Sequence, residues 1–512
     1  MRHLTGFYVP FSSDLDLAAN ARMHGLAERL RSNLLEGITD LYPGYINLYV
    51  EFDANLVARD TVKSWVKKHA LNLEAKASTG REVVIPVRYD GEDLEFVAAQ
   101  TGLTVAQVIQ KHSGVTYQTY TVGFTPGYPF LGKLDPTLHL PRRKTPRKKV
   151  PAHSVAIAVG QTGIYPLATP GGWHILGSAL TAVYDPHREK PFLLEPGDNV
   201  RFVPSEGETP PEAGVLEMLP STPQFPVLKV EKPGLLDLIV DDGRALAGHY
   251  GMARSGAMDQ RGARAANALV GNIPGAAVLE MTLKGATFRV LQDAVIGFAG
   301  FGMRPILNSQ PAPIFESFAI KTGDQLEFVP TATGVRGYLA VAGGFESLSF
   351  MDSKSTDLVG RIGRALQAGE TLGMNNPLSK NRAGYGIAFS SLPETPTVRL
   401  QAGPQATPEA LAALCGAEFT VSSPDRMGVR LEGVKVPGGE LTSEATPMGG
   451  VQITIDGDPI LLLNDRGRIG GYAKPAVVDP RDLGLVAQLR PGQKLRFKLV
   501  GGSSAEQWFL TL

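Results

Sequence analysis

Apolar positions near the start of the chain follow two different periods. Leu17, Ala21, Leu26 and Leu30 recur at near-helical spacing across residues 14–31, with Ser12, Ser13 and Asp14 placed to cap the first turn. Residues 45–52 alternate as a strand does, and residues 57–70 read as a second helix. This β-α-β-α order predicts a small α/β unit over residues 1–80, an open sheet with helices on one face. From Arg81 the texture changes. A strand-like run at 83–87 precedes two short helices at 93–100 and 104–111, the second opened by Thr104 as N-cap. Short apolar runs between Gly-Pro turns then continue to about residue 204. Residues 205–226, rich in proline and acidic residues, predict a linker. Beyond it the β-rich texture resumes, broken by three predicted helices. One runs from Asp259 as N-cap to Gly271, one has Thr407 as cap with Pro408 first and Gly416 as stop, and one runs from Asp479-Pro480 to near Gly492.

A seven-residue pattern recurs three times, at 196–202 (PGDNVRF), 322–328 (TGDQLEF) and 491–497 (PGQKLRF). Each is a turn followed by an alternating strand, a fitting last strand for a β-barrel, and the recurrence favours duplicated barrels. Convergent turn chemistry gives the same pattern, since Pro-Gly before a strand is common.

Composition agrees with many short strands and few helices. Glycine (58) and proline (38) both exceed ordinary usage of about 7% and 5%. Lys plus Arg equals Asp plus Glu at 50 each, which removes any global argument for nucleic acid or an acidic membrane. The single cysteine, Cys415, excludes an internal disulfide and a cysteine-based zinc cluster. The first ten residues hold no apolar core of a signal peptide, and no apolar run approaches the roughly 18 residues of a membrane span. The expectation is a soluble, cytoplasmic protein with no nucleic-acid or membrane partner.

Several motifs are weaker than they look. Residues 127–133 match G-x-x-x-x-G-K, but Leu134 stands where Ser or Thr would hold magnesium, and Tyr128, Pro129 and Phe130 replace small residues. It is not a P-loop. The run Arg142-Arg143-Lys144-Thr145-Pro146-Arg147-Lys148-Lys149 carries six cations in eight residues, which suits a solvated edge, an anion-gathering rim or a nucleic-acid patch. Polar clusters at Asp241, Arg244, His249, Ser255 and Asp259, at Asp425-Arg426, and at Asp465-Arg466 with Tyr472 and Lys474 pair carboxylates with cations in turn-rich stretches. Salt bridges across turns explain such pairs more often than catalysis does. There is no G-x-S-x-G, no H-E-x-x-H and no Met-Lys-Met biotinylation motif, so no covalent biotin is expected on this chain.

Two long segments carry a family resemblance. Gly123-Phe124-Thr125-Pro126-Gly127-Tyr128-Pro129-Phe130-Leu131-Gly132, with Pro141-Arg142-Arg143, Pro146-Arg147, Gln161-Thr162-Gly163 and Pro170-Gly171-Gly172-Trp173, resembles allophanate hydrolase subunit 1 over about residues 1–204. Asp241, Gly243-Arg244, Ser255-Gly256-Ala257-Met258-Asp259, Val270-Gly271-Asn272, Leu279-Glu280, Asp425-Arg426-Met427-Gly428, Asp465-Arg466 and Gly470-Gly471-Tyr472 resemble subunit 2 over about 229–512. Four places depart from the family pattern. Gly467-Arg468-Ile469 replaces a polar run such as Gln-Thr-Thr, 355–369 is short, and His153 and Val159 each stand where glycine is usual.

The resemblance implies a mainly β fold with an α/β N-terminal unit and tandem cyclophilin-like β-barrels. The expected division is 1–80 (α/β), 81–204 (barrel), 205–228 (linker), 229–395 (first barrel of the second half) and 396–512 (second barrel). It further implies the B and C parts of an ATP-dependent 5-oxoprolinase, which open a lactam together with a separate A subunit and use ATP and Mg²⁺. Alternatives in the same family are a carboxyltransferase-like module of urea carboxylase and a regulator of a sensor histidine kinase. A homo-oligomer is compatible with either. Phosphorylating a lactam oxygen needs cations around the phosphoryl group. On the matching positions this makes Arg142, Arg147, Asp259, Arg426 and Asp465 the candidate catalytic residues, with Asp241 a further carboxylate for Mg²⁺ or for proton transfer. Thr125, Gly127, Tyr128, Arg143, Gln161, Thr162, Asp241, Arg244, Ser255, Tyr472 and Lys474 are the candidate substrate or nucleotide contacts, and no metal ligand is assigned.

Overall fold

Alternating apolar and aromatic positions set up the N-terminal unit. In the computed structural model, which describes residues 3–71, 80–377, 382–502 and 505–509, strands Ile38–Pro43, Asn47–Asp53 and Leu4–Pro10 lie side by side, antiparallel. Phe7, Val9, Leu48, Val50 and Phe52 form one core with Met23 and Leu26 of helix Leu17–Ser32 and Val62 and Val66 of helix Arg59–Ala70. The expected open sheet with helices on one face is present. Asp16, rather than Ser12, Ser13 or Asp14, caps the first helix, accepting from the Ala19 amide at 2.8 Å. The intervening residues Tyr8, Tyr42 and Tyr49 pack instead with Ala445 and Val477 of the second half. Tyr8 and Tyr42 donate their hydroxyls to the carbonyls of Ala445 (2.6 Å) and Thr446 (2.8 Å). Strand Ala505–Gln507 completes the sheet, parallel to Leu4–Pro10.

Two closed barrels of seven strands follow the same plan. In each, the first strand pairs in parallel with the last: Glu82–Arg88 with Asn199–Pro204, and Thr397–Ala402 with Lys494–Leu499. The order of strands round the two rings is the same. The first and third copies of the seven-residue pattern run into these closing strands. The second copy does not close a ring. Its strand, Gln325–Pro330, has only antiparallel neighbours, Met303–Leu307 and Thr287–Val290. The barrel expected over 229–395 is therefore two sheets, of six and five strands, sharing a core of Val230, Phe288, Phe298, Phe328 and Leu339.

The expected linker is a packed strap. Ala213 and Met218 are buried with Tyr184, Phe192 and Ile362, Leu216 bridges to Ile362, and Glu212 and Glu217 pair with Arg361 (2.5 Å) and Arg364 (2.8 Å). Its apolar residues find a partner surface, so it does not behave as free chain. Helices Leu94–Thr101, Val105–Ser113, Gln260–Val270 and Pro408–Cys415 stand where the sequence places them. The last predicted helix is short, a single turn at Pro480–Asp482 running into Leu483–Val486. Among the described residues no helix is long and apolar enough to cross a membrane.

Candidate functional site

Residues 123–128 form a wedge between the two halves. Gly127 takes a left-handed φ of 74° and donates its amide to Tyr250 O at 2.9 Å; a Cβ there would lie 2.8 Å from Tyr184 Cβ. Gly123 is closed off by Ile469, and Gly251 packs on Thr125 O and Gly123. The hallmark loop of the first half thus touches segments 248–251 and 467–469 of the second. No phosphate loop forms here, since Pro129–Gly132 is a strand of the barrel.

Most of the charged candidates around this wedge are fully engaged within the chain. Asp259 caps helix Gln260–Val270 through the amides of Arg261 and Gly262 (3.1 and 3.3 Å), and its other oxygen accepts from Gln488 at 3.1 Å. Burial raises its pKa, with Gln488 acting against that. Arg426 pairs through Nε with Asp465 at 2.8 Å, pairs also with Glu280, and donates to the carbonyls of Ser255 and Gly256. Burial works against its charge, yet Asp465 and Glu280 hold its pKa above the ordinary value. Asp241 binds the hydroxyls of Ser353 (2.7 Å) and Ser355 (2.6 Å) and the amides of Gly243 and Lys354.

Among the described residues, four of the buried side chains near this junction keep open hydrogen-bonding capacity. They are Arg244 (Nε and Nη1), Ser255 (Oγ), Asp357 (Oδ2) and Thr125 (Oγ1). Buried polar atoms without partners are rare, and each calls for an explanation such as a ligand or water. Arg244 gives its remaining nitrogen to Ser355 O. Burial lowers the pKa of Arg244 and raises that of Asp357, while the opposite charge of each restrains the other. Ser255 is held at φ 54°, a region costly for a residue with a side chain. A buried cation, a carboxylate resisting ionisation and an unused hydroxyl make a site able to hold an oxyanion and move a proton. Asp357 is absent from the candidates that the sequence supplies. It sits in the short 355–369 stretch with no motif around it, and only the fold brings it near Arg244.

The remaining candidates lie elsewhere. Arg143 and Arg147 are pinned by Asp93 at 2.9 and 2.8 Å, and Arg147 also by Glu92 at 2.7 Å, so they brace the ribbon formed by Arg147–Val150 and Thr169–Gly171. Arg142 is exposed and acts electrostatically on the buried tyrosines Tyr45, Tyr128 and Tyr165. Gln161 accepts from Tyr45 Oη at 3.0 Å, and Thr162 donates to Ala156 O while lying 2.9 Å from His112 Nε2. Lys474 is buried against Glu444 at 2.9 Å and donates to Tyr472 O; burial lowers its pKa and Glu444 counters. Among the described residues no group of three His, Cys, Asp or Glu side chains could hold a metal ion.

Comparison with known proteins matches both halves. The profile "Carboxyltransferase domain, subdomain C and D" covers residues 3–194, and "Carboxyltransferase domain, subdomain A and B" covers 250–499. The chain is 40% identical over 210 residues to the 5-oxoprolinase B subunit of Escherichia coli O157:H7, spanning 40% of this chain and 93% of that one. It is 34% identical over 276 residues to the 5-oxoprolinase C subunit of Haemophilus influenzae, spanning 51% of this chain and 87% of that one. A putative urea carboxylase of Emericella nidulans is 32% identical over 292 residues, which is 52% of this chain and only 23% of that longer protein. The solved structure of TTHA0988 superposes with a TM-score of 0.94 at 50% identity, covering 97% of this chain and 100% of that one. The chain belongs to the fused allophanate hydrolase subunit 1/subunit 2 family, built from carboxyltransferase subdomains.

Proposed function

We propose that this chain is the fused B and C component of an ATP-dependent 5-oxoprolinase, activating the lactam for opening to glutamate together with a separate A subunit. The observation that carries this reading is coverage: the chain spans 93% of a 5-oxoprolinase B subunit and 87% of a C subunit, against 23% of a urea carboxylase. The junction chemistry suits the reaction. A lactam carbonyl is a poor electrophile. As its oxygen attacks the γ-phosphorus of ATP, an O–P bond forms, the bond to the β-phosphate oxygen breaks, and ADP leaves. The lactam N–H proton must leave in the same step. Asp357, with its free Oδ2 and raised pKa, is the base for that proton, and Arg244 offsets charge on the phosphoryl or carboxylate oxygens.

The test is ADP release from Mg²⁺-ATP and 5-oxoproline, with and without a candidate A subunit. Release that depends on 5-oxoproline, with glutamate formed only when the A subunit is added, is expected. No release from folded protein under either condition would overturn the reading in favour of carboxyl transfer from biotin or of a regulator. Asp357→Asn, which retains the acceptor for the Gly360 amide (2.8 Å), should lower turnover by about 10²–10⁴-fold. In the unmodified protein, activity should fall on the acid side at a pH above the ordinary aspartate range, because the raised pKa leaves the base protonated there. A wild-type rate in Asp357→Asn would remove this residue from the mechanism.

A further inference from the structure

A cleft of about 620 Å³, separate from the junction of open polar groups, lies where the N-terminal unit meets the last barrel. Residues 10–13 and 46–47 form one side; Gln405, Leu441, Thr442 and Glu444 form the other. Phe11 and the exposed ring of Phe509 provide aromatic walls. The polar floor is Glu444. Its Oε1 accepts from Gln405 Nε2 at 2.8 Å and pairs with Lys474 at 2.9 Å, and its Oε2 accepts from Asn47 Nδ2 at 2.8 Å. Lys474 cancels the charge of Glu444, and among the described residues no lysine or arginine lines the cleft. A carboxylate offers about four acceptor positions, so one remains on Glu444. Asn47 Oδ1, also buried, has no partner among the described residues.

The floor therefore has spare acceptors and no net charge. Such a surface offers a phosphate or a free carboxylate no cation; its floor suits an uncharged planar ring carrying N–H donors, flanked by apolar and aromatic walls. The volume falls within the usual range for small-molecule pockets, roughly 300–1,000 Å³, and is far larger than a five-membered lactam needs. We propose that this cleft binds the nucleoside part of a nucleotide, with the base amino group directed at Asn47 and Glu444 and the phosphates leading out of the cleft. The assignment rests on the ATP-consuming reading above. Both halves of the chain contribute to the cleft, so neither half alone would bind.

Equilibrium binding of adenosine and of Mg²⁺-ATP to the purified full chain, with no partner present, tests this. Both should bind, adenosine included, since the contacts the cleft makes are to the nucleoside. Thr442→Trp, at an exposed lining position, fills the space and should weaken adenosine at least about tenfold with an unchanged circular dichroism spectrum. Phe509→Ala should weaken it by a smaller factor. Absence of adenosine binding to the unmodified chain, or unchanged affinity in Thr442→Trp, overturns the proposal. If Thr442→Trp releases ADP with 5-oxoproline at an unchanged KM for ATP, the cleft assignment falls while the 5-oxoprolinase reading stands. Adenosine binding that Thr442→Trp weakens, in protein that never releases ADP, keeps the cleft and removes the 5-oxoprolinase reading.

Discussion

His153 and Val159, the two residues that stand where glycine is usual in the family, are both left-handed, with φ of 66° and 56°. The glycine expected at each position would answer a backbone requirement that this chain meets without it. His153 gains something in exchange: its Nε2 lies 3.4 Å from Pro211 O, tying the barrel to the strap. Val159 is exposed and β-branched, and nothing in the structure explains it. Val159→Gly should stabilise the protein by about 0.5–1 kcal/mol, the left-handed strain relieved exceeding the extra backbone entropy. Thermal unfolding of the two proteins reads this, and a lower Tm in the variant would contradict it. Family membership was legible at this scale, because motif positions survive in linear order. Side-chain partners were not. Asp259, Arg426 and Asp465 stand out as a string of charged letters, and only the fold shows that each spends hydrogen bonds within the chain, while Asp357, the base proposed above, has no motif to announce it.

Helix ends were the most legible elements, because a cap is written in one or two adjacent residues. Thr104 forms a complete capping box with Gln107, Asp259 opens its helix, and Thr407 with Pro408 opens another. Asp259→Ala should cost about 1–2 kcal/mol by freeing the amides of Arg261 and Gly262, whereas Asp259→Asn keeps an acceptor for them. Chemical denaturation distinguishes the two variants; equal losses would mean that the charge, not the cap, is what counts. Strands were legible as a texture and much less as a topology. The three copies of one turn-and-strand pattern are almost alike in sequence, but two close barrels by parallel pairing and one lies inside an open sheet. Whether a strand finds a parallel or an antiparallel neighbour depends on chain far from it, which no local pattern encodes.

Across the whole molecule, the departure at Gly467-Arg468-Ile469 becomes part of the joint between the halves. Arg468 is buried, pairs with Asp40 of the N-terminal sheet, and lies 4.4 Å from the Tyr42 ring centroid. Nearby, Glu51 pairs with Arg254 at 3.2 Å. Removing one member of a buried pair leaves the other charge uncompensated, so Arg468→Ala should cost about 3–5 kcal/mol. Asp40→Leu combined with Arg468→Met should cost clearly less, and an equal loss in both would show that packing rather than charge is responsible. The sequence hid this joint because its two sides, residues 38–53 and 444–468, are near opposite ends of the chain.

Strand Ala505–Gln507 completes the sheet begun by Leu4–Pro10, and Trp508 adds its amide to Tyr8 O at 2.7 Å. On a ribosome, the sheet of residues 4–53 therefore waits until residues 505–507 have been translated before its edge is covered. Until then Leu4–Pro10 presents open amides and carbonyls to any passing strand. For a nascent chain this is the interval of greatest exposure to misassembly, and chaperone capture during synthesis should concentrate there.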